Sequence, residues 1–271
     1  MDVMDVVALV GAAAWTPQLG TWAWRWLTKP TVSLYTHSLV RIGYTMDGPI
    51  VDSTCALLSQ NKDAILNGLG ITLKHESGAT YRFDWVGLSE DLSEVQNVMG
   101  RTISIKKTSL PLVLKVLHTG VAQVFVRFHH RQFKVDTKHP FADAVERFNV
   151  LIKAERVKTE EHVNDLFSEP EFSRIVRLFD SQFIWVAGRY TAVFDIRSPS
   201  KIQYRQHPYD FTLSQDDVDT LRGNLDVIRQ DLLQMMKTRI IPPVQRAEPM
   251  YTWRQVELTG AQNPMVVGVS T

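Results

Sequence analysis

One cysteine, Cys55, stands among the 271 residues, and there is no Asn-x-Ser/Thr acceptor. A lone thiol excludes an intrachain disulfide, and without glycosylation acceptors the composition is that of a chain folding in a reducing compartment. Net charge is scarce too. The 30 lysines and arginines against 29 aspartates and glutamates leave +1, which argues against a general nucleic-acid binder, since such domains are basic as a whole. P-loop, nucleophile elbow and HExxH are all missing. Gly68 and Gly70, in NGLGIT, precede a strand pattern and not a helix, so they do not form a phosphate loop. His129, His130, Asp136 and His139 are the only group of metal-like composition. Adjacent strand residues point to opposite faces, so at most one of the two neighbouring histidines could join the others, and no metal is expected. No catalytic residue and no cofactor follow from these residues.

What the chain does have is one long apolar run, VVALVGAAAWTPQLGTWAWRWL from Val6 to Leu27, holding four of the seven tryptophans. As a helix it would span about 33 Å, the thickness of a bilayer's hydrocarbon core. Asp2 and Asp5 precede it and Arg25 and Lys29 end it, the wrong polarity for a signal peptide. The positive-inside rule places the N-terminus outside and the body in the cytoplasm, with a single pass through an inner or plasma membrane. Trp15, Trp22, Trp24, Trp26 and Arg25 are the residues expected at the membrane interface. Pro17, Gln18 and Arg25 interrupt the run, so an in-plane interfacial helix and a helix packed in a protein core stand as alternatives.

After Pro30 the period changes from helical to alternating. Candidate strands are Thr31 to Tyr35, Ser38 to Tyr44, Cys55 to Gln60, Leu69 to His75, Thr80 to Trp85, Thr102 to Lys106, Leu112 to Leu117 and Ala122 to His130. Asp47-Gly48-Pro49, Asn61-Lys62-Asp63 and Glu76-Ser77-Gly78 punctuate them, the last as a hairpin turn. In ITLKH, Ile71, Leu73 and His75 share one face, and Thr72 and Lys74 share the other. Many short strands so punctuated point to a sandwich or barrel. Helical spacing returns with Phe141, Val145, Phe148 and Ile152, with Pro140 as first helical residue, and continues from Thr159 to Phe167 and from Glu171 to Phe179. About 40 residues of helix bury too little alone, so this reads as an insertion at about 140–180 and not a separate domain.

The sheet resumes at WVAGRYTAVFDIRS, with Gly188 at a turn and Tyr190, Ala192, Phe194 and Ile196 alternating. Ser198-Pro199-Ser200 then lets Lys201 to Gln206 pair back. This stretch resembles the terminal hairpin of immunoglobulin-like bacterial sandwich domains, where Trp-x-x-Gly-x-Tyr opens the penultimate strand. The resemblance is close over about 25 residues and one of pattern over 31–213, and the chain also looks like uncharacterised bacterial proteins that join a short N-terminal hydrophobic helix to such a domain. The resemblance implies an immunoglobulin-like β-sandwich and a role as an effector in bacterial stress or antiviral defence, and it brings no catalytic residues.

Ser214, with Asp217 three residues on, starts an amphipathic helix in which Val218, Leu221, Leu225, Ile228, Leu232 and Met235 repeat at spacings of three and four. This seam packs on the rest of the body or pairs with a second copy through 214–240. Pro242-Pro243 ends it. The tail from Gln245 to Thr271 has too little period to place, with Met250 to Leu258 the one stretch in it that reads as an edge strand. The organisation expected is therefore an anchor over 1–29, a mainly β body over 30–213, a helix over 214–241 and a tail over 242–271.

Charge carries the one local signal of binding. Eight bases against Asp136 lie between Arg101 and Lys138, a balance of +7, whereas 214–235 carries five acids against two bases. On the strand VFVRFHHR, alternation sets Arg127, His129 and Arg131 on one face. With Lys134 and Lys138 these form a candidate patch for a phosphate-bearing ligand or anionic headgroup. The reading is a membrane-tethered cytoplasmic binding or sensing module. The alternatives are a metal- or histidine-dependent enzyme on a phosphate-bearing substrate, and a structural subunit whose N-terminal helix packs in a partner.

Overall fold

The computed structural model describes Gly20 and residues 28–96, 102–109, 113–168, 170–240, 249–260 and 265–269. Among them no helix is long and apolar enough to cross a membrane. Apart from Gly20 the apolar run, with Trp15, Trp22, Trp24, Arg25 and Trp26, lies outside them.

The described residues are mainly β, with four helices after Ser109 and a curled sheet. The strands are β1 (Thr31–Thr36), β2 (Leu39–Thr45), β3 (Gly48–Gln60), β4 (Ala64–Leu66), β5 (Gly68–His75), β6 (Thr80–Gln96), β7 (Thr102–Ser109), β8 (Leu114–Val116) and β9 (Val121–His130). Three helices follow, α1 (Arg131–Lys153), α2 (Glu160–Ser168) and α3 (Pro170–Ser181). Then come β10 (Gly188–Arg197), β11 (Ile202–Gln206), β12 (Pro208–Leu213), α4 (Gln215–Lys237), β13 (Trp253–Glu257), β14 (Thr259–Gly260) and β15 (Met265–Val269).

Antiparallel pairing runs without a break from β2 through β3, β9, β6, β5 and β10 to β12. The segment Trp253–Gly260 joins the two ends, because β13 pairs with β2 and β14 with β12. Leu258 between them donates its N–H to the Ser38 carbonyl. The sheet therefore closes on itself, which leaves this ring without an exposed edge. A branch departs from it where β3 outruns β2: the second half of β3 pairs with β1, β1 runs parallel to β11, and β11 pairs with β15.

Alternation decides which side chains fill the ring. Val40, Ile42, Val51, Ile71, Leu73, Ala192, Phe194, Phe211 and Leu258 meet inside and leave a gap of only about 10 Å³, room for no more than one water. Ile71, Leu73 and His75 point inward as their spacing predicts, while Thr72 and Lys74 point out. The hairpin turn at Glu76–Ala79 joins β5 to β6. Cys55 is fully enclosed, and burial pushes its thiol up to about 12, so it packs as a small apolar residue.

One end of the ring is stoppered by aromatics and helices. Trp185 stacks on Phe83 with centroids 5.9 Å apart and donates its indole N–H to the Gly43 carbonyl at 3.1 Å. Gly188 holds φ +137°, and a Cβ there would strike the His75 ring, so the turn after Trp185 needs glycine. Tyr44 donates to the Phe179 carbonyl and packs edge-on against Phe133 and Phe183. Helices and ring share one continuous core. The α4 seam is occupied within the chain: Val218, Leu221, Ile228 and Leu232 are buried, with the helix lying against β2, β13, α2 and α3.

Strands β4 and β12 were not expected, β3 and β6 outrun the expected Cys55–Gln60 and Thr80–Trp85, and three further elements differ in place or pairing. The helix expected from Pro140 begins at Arg131, directly after β9, with Pro140 inside it. Lys201 to Gln206 does not pair back on β10, whose two sides are taken by β5 and β12. The Ser198 hydroxyl is bonded to the Ile65 carbonyl at 2.7 Å, and the turn sends the strand to β1 instead. The stretch ending at Leu258 is the strand that closes the ring, not an edge.

Candidate functional site

The ring interior is filled around Ile71 and Phe194, and a wide depression lies on its outer surface. The five residues of the basic patch separate there. Arg127 on β9 makes a two-pronged ion pair with Asp52 on β3, Nε and Nη2 each 2.8 Å from a carboxylate oxygen. The Asp52 side chain is fully buried and raises the Arg127 pKa further. This guanidinium also lies 5.5 Å from the Trp253 ring, which Arg41 approaches to 4.8 Å. Arg127 thus belongs to the wall that holds the closing strand. His129 is 6% exposed, with neither ring nitrogen hydrogen-bonded. Burial pushes its pKa down to about 4, with Lys134 and Arg127 acting the same way and Asp47 and Asp52 opposing. Because α1 starts at Arg131, alternation stops there, and Arg131 leaves the Arg127 face. Lys134 and Lys138 are exposed on the first turns of α1.

Arg131 instead joins residues that are distant in sequence. Strand β5 lies between β6 and β10, and Gly70 is directly opposite both Asp84 and Asp195. The three therefore share the outward face, with two carboxylates flanking a floor that has no side chain. A Cβ on Gly70 would come within 3.2 Å of the Phe83 carbonyl oxygen and 3.9 Å of an Asp84 oxygen. Around this floor stand Arg82, Arg131 and Arg197, and the depression holds about 450 Å³. Arg197 Nη2 donates to Asp84 at 2.9 Å, Arg131 Nε lies 3.8 Å from the other Asp84 oxygen, and Thr72 donates to Asp195 at 3.0 Å.

Arg82 and Arg131 also form the near wall of a second depression of about 690 Å³, lined further by Thr80, Tyr81, His130, Gln132 and Val135. The two depressions share Arg82 and Arg131, but Tyr81 and His130 lie on the face of their strands opposite Asp84. His130 is 7% exposed, its Nδ1 has no partner, and its ring sits between Tyr81 and Phe83 at 6.0 and 5.4 Å. Burial lowers its pKa and Asp136 opposes, so it offers a neutral ring carrying both a donor and an acceptor.

The depression over Gly70, the wall groove, carries three guanidinium groups against two carboxylates. Planar guanidinium forks suit phosphate or carboxylate oxygens, and carboxylates with threonine hydroxyls suit neutral hydroxyl groups. His129 and His130 face opposite sides of β9, and His139 lies further along α1. Among the described residues no three His, Cys, Asp or Glu side chains gather as a metal site. Sequence reasoning found Arg131 but missed Arg82, Asp84, Asp195 and Arg197, which only the pairing of β5 with both neighbours brings together. The signal available was the glycine pair in NGLGIT, on the outward face of a strand. No protein-family model matches the chain, and no curated protein or solved structure matches it.

Proposed function

We propose that the protein is a binding module whose outer-wall groove takes a ligand bearing both an anionic group and hydroxyls, of the sugar-phosphate kind. The observation that carries this reading is the convergence of Arg82, Arg131 and Arg197 on a glycine floor while the ring interior is full. The anion sits between Arg82 and Arg131, and the hydroxyls face Asp84, Asp195 and Thr72. Nothing in the placement of the histidines favours the enzymatic alternative. The membrane tether over residues 6–27, a cytoplasmic body and an effector role belong to the same proposal and rest on the sequence pattern. So does the immunoglobulin-like reading, which rests on the Trp-x-x-Gly-x-Tyr pattern at Trp185, Gly188 and Tyr190 alone.

A thermal-shift titration with glucose 6-phosphate, inorganic phosphate and glucose tests the groove. A ligand at a hundred times its Kd adds about 2.7 kcal/mol and should raise Tm by roughly 5 °C. Glucose 6-phosphate is expected to act, glucose not, and Arg131→Ala should remove the shift. The groove reading fails if no phosphorylated polyol shifts Tm, or if Arg131→Ala and Arg82→Ala respond as wild type does. Fractionation addresses the tether, which is wrong if the full chain stays soluble without detergent.

A further inference from the structure

A different groove lies between α1 and α3, on the flank of α1 away from Lys134 and Lys138. It holds about 700 Å³, within the range of small-molecule sites. Its construction differs from the wall groove. The floor is apolar: Pro140 and Ala144 on α1 face Ile175 and Leu178 on α3. Pro140, Ala144 and Leu178 are only half-buried, so a strip of hydrocarbon surface stays open between the helices. Ala144 sets the gap, because its single methyl sits where a larger side chain would fill the space.

The rim is cationic. Arg147 comes from α1, and Arg174 and Arg177 come from α3, where a spacing of three places them side by side along the groove. Among the described residues Asp143 is the one acid in the lining. Such a site, greasy at the bottom and bearing guanidinium groups at the lip, complements a molecule with an apolar tail and a single anionic head. The floor from Phe172 to Leu178 is about 9 Å long, under two helical turns. That is short for a partner helix seating anchors at i, i+4 and i+7, and suits a flexible chain that can fold into the volume.

We infer that the α1–α3 groove binds a fatty-acyl anion, its hydrocarbon chain on Ala144, Ile175 and Leu178 and its carboxylate at Arg174 and Arg177. The inference stands apart from the wall groove and does not need it. Calorimetry of the full chain in detergent below its micellar concentration, with dodecanoate and dodecanol as probes, tests it. Dodecanoate should bind with a micromolar Kd, and dodecanol at least tenfold more weakly. The double variant Arg174→Glu/Arg177→Glu, changed only at exposed positions, should lose at least tenfold for dodecanoate and keep the wild-type Tm. Ala144→Trp should abolish binding by filling the floor. The inference is overturned if dodecanoate fails to bind at millimolar concentration, if dodecanol binds as tightly, or if the arginine variant binds as wild type does. Capture of an acidic amphipathic peptide with no dodecanoate binding would likewise overturn it in favour of a protein partner.

Discussion

Two neighbours on β9 show how environment separates residues that look alike in sequence. Arg127 keeps its charge because a buried carboxylate faces it, and His129 gives up its charge because burial outweighs the pull of Asp47 and Asp52. Arg127→Ala would leave Asp52 uncompensated in a closed wall. The expected loss is about 2–3 kcal/mol by urea denaturation, below the roughly 3–5 of a fully buried pair because the guanidinium is 42% exposed. For His129 the folded pKa lies below the usual 6.5. Its neutral form is favoured in the folded state, so stability is full above about pH 6.5 and falls as pH drops toward 4, by at most on the order of 3 kcal/mol. Asp217 acts in a lower window, since its depressed pKa adds stability above the ordinary carboxylate value that is lost only in stronger acid. His129→Leu should flatten the stability profile between pH 6.5 and 4.5 without loss at pH 7.5, since it removes an unpartnered polar ring. An unchanged acid limb would assign that slope elsewhere.

At the scale of elements, α4 is more than a lid. Ser214 and Asp217 form a reciprocal capping box at its start, and Ser214→Ala should cost about 1 kcal/mol. The buried Asn224 interrupts the apolar seam for a reason: its amide exchanges two 2.8 Å hydrogen bonds with the Thr252 backbone, holding the segment that leads into β13. Arg254 on β13 reaches back to Asp216, Asp217 and Thr220. Asn224→Leu should cost about 1–2 kcal/mol, since it removes both hydrogen bonds to the Thr252 backbone, and hydrogen exchange at Trp253–Glu257 should rise first. The strands of the first half were legible because one face of each meets the core and the other meets water, which writes a period of two into ITLKH and its neighbours. The start of α1 was not. His130 offers no side-chain cap, the first turn holds no acid, and a strand passes into a helix without glycine or proline to mark the change. The wall groove was hidden for another reason: Asp84 and Asp195 share a face only through their common partner Gly70, a fact of pairing that no local window contains.

For the whole molecule, closure depends on how near β13 comes to β2. A Cβ on Gly43 would meet the Trp253 ring at 2.5 Å, so Gly43→Val should force the two strands apart and cost roughly 1–3 kcal/mol, read as a lowered Tm with loss of cooperativity. Leu258→Asp, placing a charge inside the packed ring, should be more severe. Six of the ring's seams join strands that are complete by Leu213, whereas the last two wait for Trp253–Gly260. During synthesis the sheet is therefore an open trough with two bare edges until that segment has left the ribosome, and the contact that shuts it spans more than 200 residues, from Leu39 to Glu257. A closure so distant in sequence makes the last step slow, and the waiting edges are the surfaces a chaperone would have to shield from neighbouring chains.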